Sequence, residues 1–237
     1  MGGVAVDSKK AKETTLRILT HPAVGGLRFT LLGQQVSPAL YASVAKAIIS
    51  GRIAVIHEPQ LNDIFAGGLY APEADALMLP FSEIAGSWAF QRLQEATIIH
   101  ECTHAGFDIS RTAMFDWYNE VLAYVAGYLF VVLSLARQNI GPDKFVLGHS
   151  GLAENAALQA GLAIARSIYK GHEIVAEDYI NFDKALSIHP LYNKKGTLMS
   201  EVNGLARSLA EKRAVRKERQ KKIDLIRKAA EEMRIAP

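Results

Sequence analysis

A single cysteine, Cys102, in a chain of 237 residues excludes an intramolecular disulfide framework and any cysteine-built zinc ribbon. The 18 glycines and 8 prolines are too few for a collagen-like or proline-rich chain. No uncharged run reaches the ~20 residues that a membrane span needs. The most apolar one, Val121 to Ala136, has 16 and follows Asp116, Asn119 and Glu120, so it reads as a buried core helix and no membrane span is expected. The N-terminal MGGVAVDSKKAKETTLRIL has no apolar stretch behind a basic end, and Val6 stands where a myristoylation motif needs Ser or Thr. The expectation is a cytoplasmic protein, with signal-independent export left open. What is present suits one large domain with an appendage: 49% hydrophobic and 22% charged residues can build a sizeable core.

Charge is uneven. From Glu211 to Lys228 there are nine Lys/Arg and three Asp/Glu, a local +6 against +3 for the whole chain, so the rest sums to −3. This basic tail mixes in acids and lacks interleaved aromatics. It reads as a solvated or protein-binding helix rather than a nucleic-acid surface.

The pattern predicts a flexible end over 1–14, then a small mixed region. Leu27–Leu32 and Arg52–His57 read as strands, and between them Ser37-Pro38 opens a helix that Gly51 closes. After Gly67-Gly68, Leu69–Leu79 reads as a turn between two short extended pieces, with Pro72 at a bend or edge. From Gly86 the pattern is helical: Trp88 to Ala105 with Gly106 as its C-terminal stop, about Thr112 to Arg137, Ser150 or Gly151 to Tyr169, Ala176 to Ile188, and Glu201 to Arg234. The domain limits that follow are 1–14, 15–200, and a charged helical extension over 201–237.

One motif carries chemistry. Residues 98–104, Ile-Ile-His-Glu-Cys-Thr-His, contain H-E-x-x-H. On a helix His100 and His104 share a face and can aim two imidazoles at one metal ion. Glu101 is turned about 100° from His100 and can stand beside the metal, placed to take a proton from bound water. Zinc suits two imidazoles and a carboxylate with a fourth position left for water, whose pKa it lowers to about 7. With 7 His and 15 Glu, chance gives such a motif roughly once in a hundred chains of this kind, so context decides. Here the motif lies within a helical pattern, and the next helix carries Glu120 on an otherwise apolar face. A buried carboxylate is costly unless it is paired or binds a metal.

His-Glu-Cys-Thr-His (100–104) followed by Asn119-Glu-Val-Leu-Ala-Tyr124 resembles the zincin metallopeptidases, and most closely their gluzincin type. The resemblance covers roughly residues 30–137 and is sharp from His100 to Tyr124. It implies a zincin-like α+β domain, a polypeptide substrate, one Zn2+ held by His100, His104 and Glu120, and Glu101 as general base. It also implies that the extended Leu69–Leu79 segment supplies an edge strand lining the cleft. Phe107 and Ser110 stand where metzincins carry glycine and a third ligand, and Tyr124 stands where many gluzincins carry an orienting aspartate. Asp108 and Asp116 remain rival third ligands. In the family a later Tyr or His stabilises the oxyanion. Tyr124 and His189 are the leading candidates, with His149, His172 and Tyr192 also in range. Cys102 reads as a packed small side chain, and Thr103 as a residue that back-bonds within the helix.

Two other readings stay open. One is a catalytically inactive zincin-like domain that keeps its zinc as a structural or protein-binding module. The other is a metal-free helical binding protein.

Overall fold

The computed structural model describes residues 3–64, 67–145, 153–187 and 205. Among these the fold is α+β and dominated by helices: α1 (Gly3–Leu19), β1 (Phe29–Leu31), β2 (Gln34–Val36), α2 (Pro38–Ile49), β3 (Ala54–His57), β4 (Leu69–Ala71), β5 (Ala76–Leu79), α3 (Trp88–Ser110), α4 (Asp116–Arg137), α5 (Ala153–Tyr169) and α6 (Ala176–Ser187). β1 and β2 form an antiparallel hairpin. The other sheet has the order β3-β5-β4, with β3 parallel and β4 antiparallel to β5.

Strand alternation divides this sheet between two cores. Tyr70, Leu77 and Leu79 face the main core beneath α3, whereas Ala71 and Met78 join Leu61 in a small cluster on the other face. The helical part is built by succession: α3 packs on α4, α4 on α5, and α5 on α6. α4 is long and apolar enough to cross a membrane by length and composition alone, and 72% of its most apolar window is buried inside the fold.

Several expectations meet the structure closely. Pro38 opens α2, Gly51 turns the chain after it at φ +74°, and Pro72 begins a single turn between β4 and β5. Others are corrected. The N-terminal residues expected to be loose form most of α1, which packs on β3 with Ala11, Thr14 and Thr15 buried. Thr14 Oγ1 donates to the Ser82 carbonyl at 2.9 Å and Ser8 Oγ accepts from the His57 amide at 3.1 Å. Gly106 does not stop α3. The helix runs on to Ser110 and is capped by Arg111 in the left-handed region at φ +54°. Gly106 is there because any side chain would run into Leu40 of α2. α4 starts at Asp116, four residues later than expected, with Phe115 as its extended cap.

Leu205 is buried at a bend with φ +72°, and the rest of the expected helical extension over 201–237 lies outside the described residues.

Candidate metal centre

Two helices build the centre, and a glycine sets their spacing. A Cβ at Gly127 of α4 would stand 2.6 Å from the Ala96 carbonyl oxygen of α3, so the two backbones touch where no side chain fits. The helices run antiparallel. One turn along α3 from Ala96 is His100, and one turn back along α4 from Gly127 is Tyr124. A further turn sets His104 opposite Glu120. The observed contacts follow this register: the Tyr124 ring lies edge-to-face on His100 with centroids 4.5 Å apart, and the Glu120 carboxylate reaches both imidazoles.

The distances suit a shared ion. His100 Nε2 and His104 Nε2 are 3.1 Å apart. Glu120 Oε2 is 3.4 Å from His100 Nε2, and Glu120 Oε1 is 3.7 Å from His104 Nε2. A tetrahedral ion with bonds of about 2.0–2.1 Å spaces neighbouring ligand atoms about 3.3–3.4 Å apart. The three side chains are 12%, 13% and 16% exposed, a setting in which two imidazoles and a carboxylate gain from a cation between them. Glu101 Oε1 is farther, 3.9 Å from His100 Nε2, yet the potential ligand atoms of His100, Glu101 and His104 all lie within 4.8 Å of one another. The donor set of nitrogen and carboxylate oxygen fits zinc without being selective for it.

Glu101 also reaches the sheet. Glu101 Oε2 accepts from the backbone N–H of Tyr70 in β4 at 2.7 Å. The Tyr70 hydroxyl donates to Asp108 Oδ2 at 2.6 Å, two turns farther along α3. Burial first, and then the Asp108 charge, push the Tyr70 phenol well above its ordinary value. Asp108, a rival third ligand, is buried as the acceptor of this bond. It belongs to α3 rather than to a loop beyond it. Asp116, the other rival, is the first residue of α4, where negative charge favours the helix N-terminus.

The remaining candidates are placed as follows. Tyr124 stands between His100 and Phe182 of α6, whose ring centroid is 5.9 Å away. His172 is exposed just past α5. His189, His149 and Tyr192 lie outside the described residues. Cys102 is fully buried, and that burial pushes its thiol above the ordinary value. Thr103 Oγ1 donates to the Ile99 carbonyl at 2.8 Å and meets the Tyr41 hydroxyl at 3.0 Å.

Sequence reasoning overlooked Tyr70 and undervalued Gly68. A Cβ on Gly68 would lie 2.9 Å from Thr97 Cγ2 and 3.0 Å from Glu101 Cγ. The glycine pair ahead of the extended segment was the available signal for such a close approach.

Comparison with protein-family models, with characterised protein sequences and with solved structures finds no match to this chain. The functional reading therefore rests on residues and geometry.

Proposed function

We propose that this chain is a zinc-dependent metallopeptidase on a zincin-like domain. The observation that carries the reading is the pair of His100 and His104 Nε2 atoms 3.1 Å apart, with the Glu120 carboxylate reaching both from the next helix. His100, His104 and Glu120 would hold the ion. Bound zinc supplies Lewis acidity and a water of pKa about 7.

The chain's own groups do the rest. Glu101, beside the three ligands, takes a proton from the attacking water at its carboxylate and passes it to the leaving amine, so one residue serves as base and then acid. As amide attack proceeds, negative charge builds on the carbonyl oxygen and needs a donor. Tyr124, held against His100, is the described candidate for that role, and His189 is the other. β4 is an edge strand beside Glu101. By the resemblance to zincins, an extended polypeptide would lie along it.

The test is metal content by elemental mass spectrometry on protein purified without a metal-affinity tag, followed by digestion of a peptide library. About one zinc per chain in wild type, lost in His104→Ala and Glu120→Ala, is expected. Glu101→Gln should keep the zinc and lose hydrolysis. Zinc that persists in Glu120→Ala would move the third ligand elsewhere. Zinc with no hydrolysis of any peptide would make the centre structural, and no zinc after reconstitution would overturn the reading.

A further inference from the structure

The stretch 67–71 grips one face of α3. Glu101 and Asp108 are seven residues apart, two turns, and so share a face of the helix. Tyr70 holds both: its backbone amide donates to Glu101 Oε2 at 2.7 Å and its hydroxyl to Asp108 Oδ2 at 2.6 Å. Tyr70 and Asp108 are 5% and 1% exposed, so the anchoring bond is shielded from water. Ahead of Tyr70, Gly67 and Gly68 lie against Thr97 and Glu101, with room for no Cβ without displacement. The register sets which amide is offered. Tyr70 is paired with Leu77 of β5, and its N–H is turned from that neighbour toward α3.

Glu101 needs such a grip. Its carboxylate belongs to the same group of potential ligands as His100 and His104, all within 4.8 Å. Left to itself it could close on the ion as a further protein ligand, and a zinc centre with four protein ligands is structural. A general base must instead stand within hydrogen-bond reach of the water it deprotonates. We propose that Tyr70 and Gly68 are positioning residues that hold Glu101 off the ion, and so keep one coordination position open. The amide of β4 engages Oε2 and leaves Oε1 on the His100 side, while the Tyr70–Asp108 bond fixes the strand from which that amide is offered. This inference rests on the metallopeptidase reading.

The experiment compares wild type, Tyr70→Phe, Gly68→Ala, Glu101→Gln and the double variant Tyr70→Phe/Glu101→Gln. Tyr41→Phe is the control for loss of a buried phenol contact to α3 made from the α2 side. Three quantities are read: metal per chain, the visible spectrum of the cobalt(II)-loaded protein, and kcat and KM on a peptide that wild type cleaves. Tyr70→Phe and Gly68→Ala should still bind one metal per chain. Their kcat should fall roughly 10- to 100-fold with KM nearly unchanged, as a misplaced group of this kind predicts. The cobalt bands should shift as Glu101 enters the coordination sphere, and Tyr41→Phe should show neither effect. Adding Tyr70→Phe to Glu101→Gln should cost little more, because both act through one carboxylate.

The positioning role is overturned if wild type binds metal and cleaves peptide while Tyr70→Phe and Gly68→Ala match Tyr41→Phe in kcat and spectrum. It is overturned equally if the double variant loses activity multiplicatively. If wild type takes up no metal, the metallopeptidase reading fails first. The clamp is then judged separately by hydrogen exchange at the Tyr70 amide: exchange roughly tenfold faster in Glu101→Ala supports it, and unchanged exchange overturns it.

Discussion

The two sides of α3 are built differently. Toward α4 the contact is backbone on backbone, made possible by Gly127 against the Ala96 carbonyl, and it leaves His100, His104 and Glu120 gathered in the seam. Toward β4 the contact is polar, with two acids of the helix receiving the amide and the hydroxyl of Tyr70. Each side thus places one glutamate near the imidazoles. Glu120 lies across both Nε2 atoms, and Glu101 is drawn toward an amide. Two chemically identical side chains a few ångströms apart thus sit in different surroundings, and the proposed division between ligand and base rests on that difference.

The largest effect should come from exchanging what each glutamate can do. Glu120→Gln is expected to strip the metal, whereas Glu101→Gln is expected to keep it and lower turnover by roughly 10²–10⁴-fold. Equal behaviour of the two variants in metal content would break the comparison. Next is the metal's contribution to folding. With free zinc near a thousand times its dissociation constant, binding would add about 4 kcal/mol. A chelator should therefore lower the melting temperature of wild type and leave that of His104→Ala unmoved, as scanning calorimetry would record.

The smaller effects separate the two seams. Gly127→Ala sets a methyl against backbone that has nowhere to go, so a loss of about 3 kcal/mol is expected in urea unfolding, with weakened metal binding. Gly68→Ala meets side chains of Thr97 and Glu101, which can give, and should cost about 1 kcal/mol while acting mainly on turnover. A reversal of that order would show that the β4 contact, not the α4 contact, holds the helix in place.

Much of the α4 side was legible in the sequence because it depends on helical geometry. The shared face of His100 and His104, and the turn of Glu101 away from it, follow from 3.6 residues per turn, and Glu120 stood out as an acid at the start of an apolar helix. The β4 side was not, because Tyr70 reaches Glu101 only through the register of β4 on β5, a contact across 31 residues that no local pattern encodes. Gly106 misled for a related reason. A glycine that ends a helix and one that admits a neighbouring side chain look alike until Leu40 is in place. α1 escaped notice because its buried face is made of Ala11, Thr14, Thr15 and Ile18, with too few large apolar residues to show an amphipathic stripe.

That first helix has a consequence for how molecules of this protein meet one another. A sheet ordered β3-β5-β4 has two edge strands, and α1 packs on β3 at one of them, with Ser8 taking up the His57 amide. An uncovered strand edge is a template for pairing with another chain. A chain cut back past Leu19 would bare that side, and its solutions should scatter more light as concentration rises, through intermolecular strand pairing. α1 thus covers a strand edge as well as adding to the core.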